Sequence, residues 1–203
     1  MNGMLLNFIV ALVVCLIGFR KYIYFLSVGY GLSVAAIGLT MFIRYELVKG
    51  LNLPWYILLQ LTLFVVYGIR LGGFLLVREI KNATYRKTLE EATKTKSGKS
   101  DKLPLPVMIV MWISVAALYM IQTCPVYYRI ENTKQLFQLQ NLFGETDALA
   151  VVGVVISLIG ILLESIADRQ KSAAKKVNPK RFCDNGLFRM CRCPNYFGEI
   201  TFW

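Results

Sequence analysis

The sequence predicts an all-α fold: a polytopic membrane helix bundle with five full spans plus a truncated or re-entrant sixth. Three observations predict it. The 203 residues are 56% hydrophobic and only 17% charged, where a soluble domain carries about 25% charged residues. The apolar residues fall into five runs, each of about 15–25 residues, near the length a helix needs to cross a hydrocarbon core of ~30 Å. Lysine and arginine gather in alternate connections between those runs.

In order, the runs cover approximately 4–18, 22–43, 53–77, 103–126 and 148–167. Arg20 and Lys21 make the first turn. Arg44, Glu46 and Lys49 close the second run, and Gly50 and Pro54 punctuate the turn that follows, since neither continues a helix well. The connection 78–102 is polar and rich in Lys, Thr and Ser, with a mobile loop expected at 94–102. The linker 127–147 carries Phe137, Leu139, Leu142 and Phe143 among polar residues, so part of it is expected to lie in the membrane interface. A second basic loop is expected over 168–192, and Pro194 opens a last apolar helix. Gly29, Gly31 and Gly38, and Gly153 and Gly160, are candidates for close helix contact.

That last helix has only about ten residues, or about 15 Å at 1.5 Å per residue. The sequence therefore predicts either a re-entrant half-helix or a piece of a longer protein, and the second reading is favoured. Residues 1–203 read as one transmembrane domain.

Of the 23 lysines and arginines, 18 lie in the first, third and fifth connections and four in the second and fourth. The positive-inside rule then places the odd connections in the cytoplasm and the amino terminus on the non-cytoplasmic side. Because the net charge of +11 is concentrated in these loops, it argues for orientation in a membrane and against nucleic acid as a partner. Cys15, Cys124, Cys183, Cys191 and Cys193 form no CxxC pair, and histidine is absent, so neither a disulfide framework nor a zinc site is expected and no metal ligands are assigned.

Ionisable residues at membrane depth are costly and mark candidate sites. Arg70 lies one turn after Tyr67, on the same helix face, and is read either as functional or as snorkelling to the interface. Glu164 and Asp168 lie four apart, also on one face. They are read either as candidate ligands or as a solvated helix end paired with Arg169 or Lys171; both oppose the helix macrodipole, which mildly favours a cationic or hydrogen-bonding partner. Pro194 suits a first helical position, so Asn195 and Tyr196 fall in a first turn whose amides, backed by Arg181, Arg189 and Arg192, would suit a phosphate or carboxylate. The alternative is a basic loop lying on an anionic leaflet.

The stretch Gly186-Leu-Phe-Arg-Met-Cys-Arg-Cys-Pro-Asn-Tyr-Phe-Gly-Glu-Ile-Thr-Phe-Trp203 resembles the signature of the steroid 5α-reductase-like membrane family. That signature runs Gly-Leu-Phe/Trp and, after a short spacer, Pro/Ala-Asn-Tyr-Phe-Gly-Glu-Ile-x-x-Trp. Glu164, Asp168 and Arg181 fall where the family carries polar cofactor ligands, and Tyr67-x-x-Arg70-Leu-Gly-Gly-Phe is similar to its third-helix motif. The resemblance covers 64–203.

It implies NADPH-dependent reduction of a carbon–carbon double bond conjugated to a carbonyl, in a steroid or other lipid held in a dry pocket. Carried across, Asn195 meets the nicotinamide amide and Tyr196 accompanies it in the same turn. Glu164 and Asp168 hold the ribose or adenine half, Arg181 with Lys175 meets phosphates, and Glu199 supports the pocket. Tyr67 matches a tyrosine that polarises the substrate carbonyl. The chain departs from the family pattern in three ways. No glutamate clearly partners Tyr67, Glu46 being a poor candidate; Cys193 stands where many relatives have histidine; and the family's later helices do not follow Trp203. Two alternatives accompany the reductase reading: an S-adenosylmethionine-dependent membrane methyltransferase of the isoprenylcysteine type, and a non-enzymatic membrane protein that keeps the scaffold.

Overall fold

The computed structural model describes residues 2–81, 103–132, 147–178 and 181–203. Most of the described residues are helical, with no strand among them. Among the described residues, six α-helices follow one another: α1 (Gly3–Cys15), α2 (Val28–Phe42), α3 (Trp55–Lys81), α4 (Leu105–Glu131), α5 (Ala148–Val177) and α6 (Pro194–Phe202). Four helical stretches are long and apolar enough to cross a membrane: Tyr22–Val48, Trp55–Lys81, Leu105–Glu131 and Ala148–Val177. The first apolar run forms a shorter helix, Gly3–Phe19. The expected mobile loop at 94–102 and the aromatic stretch 137–143 lie outside the described residues.

The chain divides into two compact units, Met1–Lys134 and Gln135–Trp203. In the first unit, α2 and α3 meet along a seam of glycines. A Cβ on Gly68 would lie 2.1 Å from the Gly31 carbonyl oxygen, and one on Gly31 would lie 2.6 Å from the Gly72 nitrogen. Only glycine allows backbones to approach so closely, which is how small residues bring membrane helices together. Gly38 continues the seam against Phe64. Gly29 instead faces the carbonyl of Tyr24, one turn before it in the chain, so it is not part of that seam.

Helix α1 packs on α2 and α4. Cys15 Sγ lies 3.4 Å from Ser33 Oγ, and Trp112 donates from Nε1 to the Leu12 carbonyl at 2.8 Å. The ends of these helices sort to two sides. On one, Lys21 pairs with the buried Glu79 at 2.5 Å, so the α1–α2 turn meets the end of α3. On the other, Tyr127 donates to Asn2 Oδ1 at 3.0 Å, Tyr45 donates to Glu131, and Lys49 lies 3.6 Å from Glu131. Alternating passes of α1 to α4 produce this sorting.

Several boundaries differ from the sequence expectation, among them the end of α3 at Lys81 rather than 77. Beyond Phe42, α2 continues through a wider helical turn, Ile43–Val48. Beyond residue 126, α4 continues through the internal Pro125 to Glu131; nearby, the Thr123 hydroxyl returns to the carbonyls of Tyr119 and Met120, as hydroxyls do around membrane prolines. Helix α5 runs to Val177 rather than stopping at 167. The expected loop begins with Arg, Gln, Lys and Ala residues that favour helix, and Lys175 and Lys176 sit in the last turn, where cations offset the macrodipole.

Candidate functional site

Most of the candidate residues lie on α5, α6 and the segment joining them. Helix α5 opens on Asp147, whose side chain accepts from the Ala150 amide at 3.2 Å. One face of it is buried: Val154, Ser157, Gly160, Ile161, Glu164 and Ala167. This is a stripe at three- and four-residue spacing, the geometry that seats a neighbouring helix.

Helix α6 covers that stripe. A Cβ on Gly160 would lie 2.5 Å from the Phe202 nitrogen and 2.7 Å from the Gly198 oxygen, and one on Gly198 would lie 2.5 Å from the Glu164 nitrogen. Ser157 donates to the Phe202 carbonyl at 2.9 Å. As α6 runs from Gly198 to Phe202, its contacts step back from Glu164 to Ser157, so the two helices are antiparallel. Continued one turn at the same register, the start of α6 would come level with the region of Ala167 and Asp168. Gly160 is thus a contact glycine as expected, while among the described residues nothing lies within 4 Å of where a Gly153 Cβ would stand.

Pro194 occupies the first turn of α6, and Cys193 before it gives no side-chain cap. The opening amides of α6 therefore face their surroundings without a capping oxygen from that residue, with the exposed Arg189 and Arg192 close in sequence. Asn195 and Glu199 are half-buried and Tyr196 is exposed.

The segment before α6 is tied to the extension of α5. Lys175 donates to the Arg181 carbonyl at 2.8 Å. Gln170 Oε1 accepts from the Leu187 amide at 2.9 Å. Gly186, at φ +58°, lies so close to Gln170 that a Cβ there would sit 2.5 Å from Nε2; both the left-handed backbone and the contact call for glycine. The Arg181 guanidinium pairs with Asp184 at 2.6 Å on the exposed surface. The sequence did not point to Gln170, because its partner comes within reach only once α5 continues past the expected boundary.

Glu164, Asp168, Lys175, Arg181, Asn195 and Glu199 thus belong to one end of the α5–α6 pair. Along α5, Asp168 and Lys175 are about 10 Å apart at 1.5 Å per residue. Carboxylates, a carboxamide, helix-terminal amides and cations are a donor and acceptor set suited to ribose hydroxyls, an amide and phosphates.

Tyr67 belongs to the first unit and is fully buried on α3. Its hydroxyl lies 3.4 Å from that of Tyr30. Tyr30 stacks on Tyr119 at a centroid distance of 5.0 Å, and Tyr119 donates to the Phe25 carbonyl at 2.6 Å. Arg70 lies over the Tyr67 ring at 5.9 Å, on the shared face. Glu46 accepts from the Leu53 amide at 2.8 Å, a local contact that shapes the turn into α3. Tyr30 was passed over in the sequence, although a tyrosine between Gly29 and Gly31 marks a place where a large ring stands beside a close backbone approach.

A family described as a protein of unknown function (DUF1295) matches residues 27–203. No curated protein matches the chain, and no solved structure does.

Proposed function

Given that the chain belongs to the DUF1295 family, we propose that it is an NADPH-dependent membrane oxidoreductase reducing a carbon–carbon double bond conjugated to a carbonyl, in a steroid or other lipid. The observation that supports this most is the close packing of Gly198 on Gly160 and the buried Glu164; one more turn of the antiparallel pair would bring Asn195 toward Asp168. When bound, NADPH supplies the hydride. Asn195 holds the carboxamide, Asp168 and Glu164 accept from ribose or adenine, and Lys175 and Arg181 meet phosphate charge. Tyr196 and Glu199 complete the first turns of α6. Tyr67 offers its hydroxyl to the substrate carbonyl oxygen, where negative charge develops, and a donor aimed there lowers the barrier.

The same reading takes Gly3–Phe19 as the first of five spans and α6 as a shorter sixth segment. It puts the amino terminus on the non-cytoplasmic side and the basic connections in the cytoplasm, with membrane lipids and a lipid-like substrate as partners.

A second reading, a non-enzymatic protein that keeps the scaffold, draws on two observations: Tyr67 is fully buried and Arg181 is paired with Asp184. To separate the two, membranes containing the full chain are given NADPH and a panel of enone steroids and lipids, and NADPH absorbance is followed. The reductase reading expects enone-dependent consumption that Asn195→Ala abolishes. Consumption indifferent to the enone, or unchanged in Asn195→Ala, counts against it.

A further inference from the structure

The five cysteines separate into three environments. Cys15 is buried and Cys124 half-buried, both inside helices α1 and α4. Cys183 is half-buried, while Cys191 and Cys193 are exposed. The depth of the exposed pair follows from the α5–α6 register. The apolar part of α5, 148–167, spans about 30 Å at 1.5 Å per residue, the thickness of a hydrocarbon core. Cys193 immediately precedes α6 and, at the same register, would come level with the region of Ala167 and Asp168, where that apolar part ends. Its thiol is therefore expected at the boundary between hydrocarbon and headgroups, with Cys191 just beyond it.

The surroundings match that position. Large apolar side chains stand exposed beside the pair, Met190 at 86% and Phe197 at 56%, and such side chains insert at an interface. Arg189 and Arg192 flank Cys191 and are exposed; they attract anionic headgroups and the phosphates of a coenzyme.

We propose that Cys191 and Cys193 form a site of S-acylation, taking a long-chain fatty acyl group from an acyl-coenzyme A thioester. Two exposed thiols at the expected bilayer boundary, one between Arg189 and Arg192 and the other next to Arg192, with exposed apolar side chains beside them, suit that transfer. The cysteine Sγ attacks the thioester carbonyl carbon. A new carbon–sulfur bond forms as the bond to coenzyme A breaks, and the cysteine proton leaves with the coenzyme A thiol. No oxidation or reduction occurs. The acyl chain enters the hydrocarbon layer beside α6 and fixes the start of that helix at the interface. The inference shares with the proposed function the cytoplasmic placement of the basic segment and uses the α5–α6 packing, but it needs neither NADPH binding nor the reduction.

The test supplies membranes containing the full chain with alkyne-tagged palmitoyl-coenzyme A and reads the tag by conjugation to a fluorophore. The expected result is a label that neutral hydroxylamine removes, that is lost in the double variant Cys191→Ser/Cys193→Ser, and that persists in Cys183→Ser and in Cys15→Ser/Cys124→Ser. Mass spectrometry of the wild-type chain gives a measure that no variant's folding affects: the acyl mass belongs on the tryptic peptide 190–192 or on the one beginning at Cys193. Absence of label on the wild-type chain, label that resists hydroxylamine, label that survives the double variant, or an acyl mass found only elsewhere overturns the proposal.

Discussion

Gly198 of α6 lies against Glu164 of α5 so closely that a Cβ would stand 2.5 Å from the Glu164 nitrogen. This contact fixes how the first turn of α6 lies beside the polar end of α5, and with it the arrangement of every candidate residue in the second unit. Both members were visible in the sequence, but their pairing required the three-dimensional register.

Gly198→Ala is therefore expected to push the helices apart and cost about 1–3 kcal/mol, the usual penalty for overpacking a fitted contact. The thermal unfolding midpoint of the full chain in detergent reads the effect. Gly153→Ala is the control. Among the described residues nothing lies within 4 Å of its Cβ position, so this change is expected to be neutral or to stabilise the helix by up to about 1 kcal/mol. Equal loss in both variants would contradict the packing described for α5 and α6.

A second expectation concerns the first unit. Glu79 is buried, while Lys21 is partly exposed; they pair at 2.5 Å, and Tyr24 also donates to Glu79 at 2.9 Å. Removing the lysine leaves a carboxylate facing one donor fewer, while neutralising the carboxylate leaves the lysine able to reach water. Lys21→Met is thus expected to destabilise the chain more than Glu79→Gln, by about 1 kcal/mol, a difference that solvent at Lys21 keeps modest and that a lower thermal midpoint reads. A larger loss in Glu79→Gln would show that Tyr24 and Glu79 hold the turn without Lys21.

The helical class, the apolar runs and the start of α6 at Pro194 were legible because apolar length and proline position are local properties. The continuation of α5 to Val177 is not legible from hydropathy, because the residues that end the apolar run, Arg, Gln, Lys and Ala among them, are also good helix formers. Glycine contacts were half legible. Gly31, Gly38 and Gly160 do meet neighbouring elements, whereas Gly153 meets none among the described residues and Gly29 faces its own preceding turn. A glycine announces that a close approach is permitted; only the opposing surface decides whether one occurs. Gln170 was illegible as a site neighbour because its partner, Leu187, is distant in sequence; Tyr30 carries a local signal in its two flanking glycines, but its neighbour Tyr67 is set only by the packing of α2 on α3.

A third expectation follows from the tyrosines of the first unit. If Tyr67 supplies a hydroxyl to the substrate, Tyr67→Phe lowers turnover by about 10²-fold or more, the scale for losing one such donor, while NADPH affinity is little changed. Tyr30→Phe keeps the Tyr67 hydroxyl and removes only its neighbour at 3.4 Å, so its effect on turnover is smaller. Steady-state kinetics with NADPH binding measured separately would show this. Equal losses of turnover and affinity in Tyr67→Phe would make Tyr67 a packing residue.

The account rests most heavily on the polar end of the α5–α6 pair binding a nicotinamide dinucleotide. Thermal unfolding of the full chain in detergent, with NADPH or S-adenosylmethionine added, tests this most directly. The account predicts that NADPH raises the midpoint of the wild-type chain, that Asn195→Ala and Asp168→Ala lose that protection, and that S-adenosylmethionine protects less. Absence of any shift with NADPH, or stronger protection by S-adenosylmethionine, would contradict it.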